Sequence, residues 1–405
     1  MDILSLRDID VEGKTVIVRV DYNLPLDENG DVRDHTRIVH TLPTIEHLLK
    51  KNAKIVLLSH LGRPNSREER LRMDVVAKRL SELIGKYVEK LDGVTEEYVK
   101  ERVKNMKPGD IILLENVRFY PEEKEKNEEI RHAFARKIAE MGDIFVNEAF
   151  GVSHRDHASI TGIPKFILGC CGFGLEKEVR MISQIVQNAD RPYIAIVGGK
   201  KDDKIKALEI LLEKVDRALM GGVIANTFLK VSGFDIGQSK FDEKVVKEAK
   251  DVLERFRDKI MLPVDVVVDE NGDAKVVDIK DVSGDMKIMD IGPTTIEKFK
   301  EALSNAKTVL WAGPLGKFEK SEFEKGTKEI AEFVAELNAK TLVGGGDSVA
   351  ALEKFNTGKK MTHISTGGGA FMDFVTKEKL PGIEALRESY RIHGHIVEFV
   401  KSKEV

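Results

Sequence analysis

The 405-residue sequence is poor in cysteine and tryptophan, nearly balanced in charge, and free of long apolar runs. Its two cysteines are adjacent, Cys170 and Cys171, and sequence neighbours cannot staple distant parts of a fold or build a thiolate metal site alone. They read as small core residues, with a reactive thiol as the lesser alternative. No stretch reaches the roughly 18 apolar residues of a membrane helix, and Met1 to Glu12 carries acids and bases where a secretory signal would be apolar. A soluble, cytoplasmic protein is expected. With 65 Lys and Arg against 69 Asp and Glu, the net charge of −4 gives no bulk attraction to nucleic acid or membrane, and neither is expected as a partner.

What is present is globular: 41% hydrophobic and 33% charged residues over a length that suits two domains, each able to bury a core. Short Val, Ile and Leu runs alternate with amphipathic stretches, the pattern of parallel sheets covered by helices on both faces. In the first half, strands are predicted over Thr15 to Asn23, Ala53 to His60, Asp110 to Val117 and Asp143 to Phe150. Ile38, Leu42, Ile45 and Leu49, and then Ile130, Phe134, Ile138 and Met141, fall at helical spacing. Gly151 to Gly174, with five glycines and a proline, reads as a loop passage and domain boundary, followed by a helix from Leu175. The second half resumes with strands over Tyr193 to Gly199, Arg217 to Val223, Thr308 to Gly313, Lys340 to Gly346 and Met361 to Thr366. Asn271-Gly272 between two apolar runs signals a hairpin decorating the second sheet.

Two of these strands run through glycine triplets into helices: Gly344-Gly345-Gly346-Asp347-Ser348 and Thr366-Gly367-Gly368-Gly369-Ala370. Glycine lets backbone approach a bulky anion, and the first amides of a helix are donors backed by the positive end of its dipole. Either triplet alone is as well explained by a tight turn. Two at strand ends of one sheet point to a polyphosphate site. Neither a P-loop nor a dinucleotide fingerprint is present. Gly198-Gly199-Lys200-Lys201-Asp202-Asp203-Lys204 ends another strand with lysines that suit phosphate oxygens, or simply make a solvated turn.

The first half instead places basic residues after strand ends: Arg19, Arg37, His60 with Arg63, Arg118, and His154-Arg155-Asp156-His157. A structural ion pair is the ordinary reading of any one arginine. Their recurrence at one topological level suits a small, strongly anionic ligand, because guanidinium pairs bidentately with carboxylate and phosphate. His154 and His157 lack a partner at metal-ligand spacing and are read as hydrogen-bonding groups.

Arg19-Val20-Asp21-Tyr22-Asn23-Leu24-Pro25, Ser59-His60-Leu61-Gly62-Arg63-Pro64, Ala225-Asn226-Thr227-Phe228, Trp311-Ala312-Gly313-Pro314-Leu315-Gly316 and the two glycine triplets occur in an order that resembles the phosphoglycerate kinase family, in an archaeal-like variant. The resemblance runs from about residue 3 to 390. It implies an α/β fold of two doubly wound parallel-sheet (Rossmann-like) domains joined by a hinge, with a C-terminal helix returning to the N-terminal domain. The corresponding divisions are 1–170 for phosphoglycerate, 171–190 as hinge helix, 191–385 for nucleotide, and 386–405 packing back on the first domain. The implied reaction is reversible phosphoryl transfer from 1,3-bisphosphoglycerate to ADP, giving 3-phosphoglycerate and ATP, with Mg²⁺ as cofactor, in a monomer or homodimer.

The same resemblance assigns Asp21, Asn23, Arg37, His60, Leu61, Gly62, Arg63, Arg118 and Arg155 to the phosphoglycerate. It gives Lys201, Lys204, Glu319, Gly345, Gly346, Asp347 and Ser348 to the nucleotide, with Asp347 near the metal-bound phosphates. Arg37, Lys204, Gly367, Gly368 and Gly369 surround the transferring group. Three positions depart from the family pattern. The lysine turn is one residue short, with Lys204 favoured over Lys201 by the following isoleucine; Ala312 replaces the usual Asn; Ser348 replaces the frequent Thr. A nucleotide-gated binding protein and an atypical dehydrogenase are the rival readings, and the absent dinucleotide fingerprint and full basic set weigh against both.

Overall fold

The computed structural model describes residues 3–199 and 204–395, the side chain of Lys204 excepted. Among these residues fifteen strands form three sheets. The first sheet comprises β1 (Thr15–Arg19), β2 (Lys54–Leu58), β3 (Glu89–Lys90), β4 (Ile111–Leu113), β5 (Ile144–Asn147) and β6 (Leu168–Cys171), in the order β3-β4-β2-β1-β5-β6 with every pair parallel. All five residues of β1 are buried, which is why its sequence is a run of β-branched residues and not an alternation.

In the second half, β7 (Tyr193–Val197), β8 (Arg217–Met220) and β9 (Ile260–Met261) are followed by β10 (Asp265–Glu270), β11 (Asp273–Asp278) and β12 (Lys287–Ile291), then by β13 (Thr308–Ala312), β14 (Lys340–Gly344) and β15 (His363–Ser365). Six of these make a parallel sheet in the order β15-β14-β13-β7-β8-β9. Trp311, Phe299 and Ile330, each fully buried, anchor its core, and side chains of that size contribute roughly 1.5–3 kcal/mol each on burial.

The predicted hairpin forms, but it does not decorate the second sheet: β10 and β11 join β12 in a separate antiparallel sheet ordered β11-β10-β12. Asn271 (φ 57°) and Gly272 (φ 97°) supply the two left-handed residues of a primed turn. The third strand lies too far along the chain for local turn chemistry to announce it.

Predicted strands overran their ends. β1 stops at Arg19 because its partners stop there: Arg19 pairs with Leu58 on one side and Asn147 on the other. Beyond it the chain is held by side chains, Tyr22 N donating to Ser59 Oγ at 2.9 Å. β6 falls inside the passage that reads as loop, since Leu-Gly-Cys-Cys carries little strand signal. It pairs with β5, and both cysteines are buried and free. Gly169 in β6 donates to Ser389 Oγ at 2.8 Å, and the same hydroxyl donates to Ile167 O at 3.1 Å, so the helix Pro381–His393 packs back on this edge.

The chain divides into two compact units, Met1–Arg180 with Lys379–Val405, and Met181–Glu378. The first crossing falls within the helix Phe173–Gln187. Glu148, at the end of β5, grips the start of that helix: its Oε1 accepts from Gly174 N at 2.8 Å and Thr44 Oγ1 at 3.1 Å, while Phe173 N donates to Thr44 Oγ1 at 2.9 Å. The carboxyl leaves no room for side chains nearby: a Cβ on Gly172 would lie 2.0 Å from Oε2, and one on Gly174 2.6 Å from Oε1. Burial pushes Glu148 up to about 8 against the opposing hydrogen bonds.

Candidate active site

In the first unit the candidate residues collect at the carboxyl ends of the strands, around the switch point between β1 and β5 where doubly wound sheets bind ligands. Asp21 and Asn23 follow β1, His60 to Arg63 follow β2, Arg118 lies in a 3-10 turn after β4, and Arg155 follows β5. Arg37 opens the helix Thr36–Lys50 and donates from Nη1 to Asp21 Oδ2 at 2.5 Å. Asn23 Oδ1 accepts from Gly62 N at 2.7 Å, and Arg118 Nη1 donates to Gly62 O at 2.6 Å, so the Leu61-Gly62-Arg63 turn is clamped from two sides. Gly62 needs its glycine, with φ 65° and an ideal Cβ 2.8 Å from Leu71 Cδ2. Leu61 is core, whereas Arg63 and Arg155 are exposed.

Arg19, grouped with these arginines by its place at a strand end, is not a surface group. It is buried, with Nε donating to Ser159 Oγ at 2.8 Å, Nη1 to Val20 O, and Nη2 within 3.1 Å of His60 Nδ1. Ser159 Oγ donates to Glu123 Oε1 at 2.7 Å, and Ser159 N donates to Glu123 Oε2 at 2.9 Å. Sequence reading missed Glu123 and Ser159, which sit in irregular turns where no periodicity marks burial.

Burial and then the neighbouring Arg19, Arg118 and Arg37 hold His60 well below the ordinary histidine range. Its 4.0 Å approach to Asp21 is therefore not an ion pair. Burial, with Arg19 beside it, also lowers Arg118 to about 10. Asp21 and Glu123 oppose part of the positive charge around Arg19 and Arg118, and the concentration of guanidinium groups suits a multiply charged anion. His157 Nδ1 lies 3.5 Å from Glu123 Oε1.

In the second unit a cavity of about 460 Å³ opens between the strand ends of the parallel sheet and the antiparallel sheet. That volume lies within the range of small-molecule sites. It is lined by Gly199, Gly222, Asn226, Pro314, Gly316, Glu319 and Asp347, and from the antiparallel side by Val266, Asp269 and Ile288. The antiparallel contribution was not foreseen, because the hairpin gave no sign of which sheet it would face. Two turns meet at the cavity's edge with no room for a Cβ: Gly198 N donates to Ala312 O at 3.0 Å and Gly199 N to Pro314 O at 2.8 Å. Ala312 itself is buried and does not line the cavity.

Gly345, with φ 100°, turns the chain from β14 into the helix Gly346–Lys354, so the first amides of that helix face the strand-end side beside exposed Asp347. Ser348 is buried and its Oγ accepts from Gly313 N at 2.7 Å, tying this helix to the turn after β13. Gly368, with φ 53°, does the same turning for the helix Gly369–Lys377, while Gly367 N donates to Ser365 Oγ at 3.1 Å. The Gly367 amide is thus engaged in shaping the turn. Lys201 lies outside the described residues; Lys204 begins the helix Lys204–Lys214.

Asp290 supports the cavity from beneath. Its Oδ2 accepts from Gly326 N at 2.6 Å and its Oδ1 from Ile291 N at 2.9 Å, and a Cβ on Gly316 would meet Oδ1 at 2.1 Å. Burial raises this carboxyl to about 7. Among the described residues no cluster of three or more His, Cys, Asp or Glu could hold a metal alone. A lone carboxylate such as Asp347 fits Mg²⁺, which is commonly held by one or two carboxylates together with substrate phosphates.

Two parallel α/β sheets, one ending in a cationic cluster and the other in glycine turns over a cavity, define a phosphotransferase. The phosphoglycerate kinase family model matches residues 6–378, and the chain belongs to that family. It is 46% identical over 391 residues to the phosphoglycerate kinase of Pelotomaculum thermopropionicum (94% of this chain, 98% of that protein), and 45% identical over 395 residues to that of Dictyoglomus turgidum (95% and 98%). Among solved structures, phosphoglycerate kinase from Coxiella burnetii aligns with TM-score 0.82 at 38% identity (95% and 99% covered). That from Pyrococcus horikoshii aligns with TM-score 0.87 at 34% identity (96% and 99%).

Proposed function

We propose that the chain carries out the family reaction, reversible transfer of a phosphoryl group between 1,3-bisphosphoglycerate and ADP, with the phosphoglycerate held by the first unit and the nucleotide by the second. The observation that carries this reading is that one unit has a guanidinium cluster at the strand ends of its sheet and the other has glycine turns and a cavity of about 460 Å³. Asp21, Asn23, Arg37, His60, Arg63, Arg118 and Arg155 receive the phosphoglycerate. Leu61 and Gly62 shape the turn between them. Glu319 and the helix start at Gly345 to Ser348 receive the nucleotide.

In the direction that consumes ATP, the acceptor is a carboxylate, already ionised near neutral pH because ordinary carboxyl pKa values lie around 4. No general base is needed. The barrier is instead the approach of an anionic nucleophile to an anionic phosphoryl group, which positioning and charge neutralisation must overcome. Arg37, Lys204 or Lys201, and the glycine amides at 367 to 369 supply that neutralisation, with Gly368 and Gly369 contributing donors and Gly367 the turn. Asp347 would help hold Mg²⁺, which would supply neutralisation of phosphate charge.

Because each substrate has its own unit, transfer requires the units to close, which also keeps water from the acyl phosphate. The helix Phe173–Gln187, gripped at its start by Glu148, is the hinge element. A monomer or homodimer in the cytoplasm is the simplest setting. A coupled assay of ATP formation from 1,3-bisphosphoglycerate with ADP and Mg²⁺, repeated with GDP, tests the reading. ATP-dependent turnover that needs 3-phosphoglycerate supports it. Ligand-induced closure without turnover would replace it with the gated binding protein.

A further inference from the structure

His60 is fully enclosed, and among the described residues one partner reaches its Nδ1: Nη2 of Arg19, at 3.1 Å. A guanidinium offers five donors and no acceptor. Were Nδ1 protonated, two N–H groups would face each other across a hydrogen-bond distance inside the protein. Nδ1 must therefore present its lone pair, and in the neutral ring the proton sits on Nε2. Arg19 has no freedom to turn away. Its Nε is committed to Ser159 Oγ at 2.8 Å and its Nη1 to Val20 O, and Ser159 is fixed in turn by Glu123, whose Oε1 accepts a hydrogen bond from the hydroxyl at 2.7 Å. The chain Glu123, Ser159, Arg19, His60 thus has one proton arrangement.

We propose that Arg19, though it is buried and not among the groups assigned to the substrate, is a positioning residue: it locks His60 as the Nε2–H tautomer, so that the imidazole meets phosphoglycerate as a neutral hydrogen-bond donor. The donor role rests on the reading that His60 contacts phosphoglycerate; the lock does not. Protonation to imidazolium is opposed by burial and by four basic neighbours. Arg19 approaches from β1, Arg118 from the turn after β4, Arg37 from the helix Thr36–Lys50 and His157 from the turn after β5, with Asp21 the one acid facing Nε2, at 4.0 Å. That separation is too long for a direct hydrogen bond, and it leaves the donor for an incoming oxygen.

The test is nitrogen NMR of the full chain labelled at histidine, with His60 assigned by the signal lost in His60→Asn. Between pH 5 and 8 the free protein should show a protonated Nε2, a bare Nδ1 and no titration. A proton on Nδ1, or titration near the ordinary 6.5, overturns the proposal. Addition of 3-phosphoglycerate should move the Nε2 resonance and leave Nδ1 bare; an unmoved Nε2 removes the substrate contact and the donor role with it, while leaving the lock standing.

Arg19→Lys keeps the charge but cannot serve Ser159, Val20 and His60 together. It should free Nδ1 to carry the proton, read as a second tautomer in the nitrogen spectrum, and raise the KM for 3-phosphoglycerate by roughly 10- to 100-fold, the scale of losing an orienting partner. The KM for ATP should stay within about twofold, since binding energy on the other unit is untouched. An unchanged His60 spectrum and unchanged KM in this variant would refute the positioning role. Should the variant fail to fold, the unmodified protein's spectrum still decides the tautomer.

Discussion

Arg37 donates to Asp21 across 2.5 Å, which holds a half-buried guanidinium at the strand-end face of the first sheet before any ligand arrives. The pairing presets the direction of the fork, which under the proposed substrate role lowers the ordering entropy to be lost on binding.

For Arg37→Ala the expected result is a kcat about 10²- to 10⁴-fold lower, the scale of losing a transition-state donor or catalytic arginine. The dissociation constant of 3-phosphoglycerate, measured by calorimetry, should change far less, because Arg63, Arg118 and Arg155 remain. Near-normal kcat would remove Arg37 from the transferring group.

Glu148→Gln probes the grip on the connecting helix. Burial raises the folded-state value to about 8, above the ordinary 4.5, so folded protein binds the proton that unfolded chain releases. That contribution is complete below about pH 4.5 and is lost as pH climbs through 8. Denaturant unfolding of the parent should therefore show stability falling over this window. The Gln variant, which carries no titrating group here, should show a flatter profile; an identical slope would place the pH dependence elsewhere.

Much of this architecture was readable because strand and helix periods are local. Tyr193 to Val197 and Thr308 to Ala312 are apolar runs that could be little else than buried parallel strands. β6 was hidden because Gly169, Cys170 and Cys171 owe their strand to pairing with β5, a contact that no short window encodes. The arginines were readable as a class, yet sequence could not separate Arg19, which is turned inward and buried, from Arg63 and Arg155, which are exposed. That distinction depends on whether the side chain follows the strand's pleat into the core or leaves with the loop. Glu123, Ser159 and Asp290 carried no signal, since their importance comes from backbone amides and hydroxyls supplied by distant segments.

Asp347→Asn removes the exposed carboxylate from the first turn of the helix that follows Gly345. The KM for Mg-ATP should rise, and higher Mg²⁺ should fail to restore it fully, since an amide oxygen is a weaker ligand for a hard cation. The KM for 3-phosphoglycerate should hold. Equal damage to both constants would argue that the two substrates share determinants and would count against one site per unit.

Ser348→Ala separates support from contact. The hydroxyl is buried and accepts from Gly313 N at 2.7 Å, so its removal leaves a buried amide without that acceptor. A stability loss of about 1–3 kcal/mol is expected in the absence of any nucleotide. Because the same bond ties the helix start after Gly345 to the turn carrying Pro314 and Gly316, which line the cavity, the KM for ATP should rise as well. Ser348→Thr keeps the hydroxyl and should recover most of both effects. If Ser348→Ala weakened nucleotide use with no loss of stability, the hydroxyl would be acting on the ligand directly and not through Gly313.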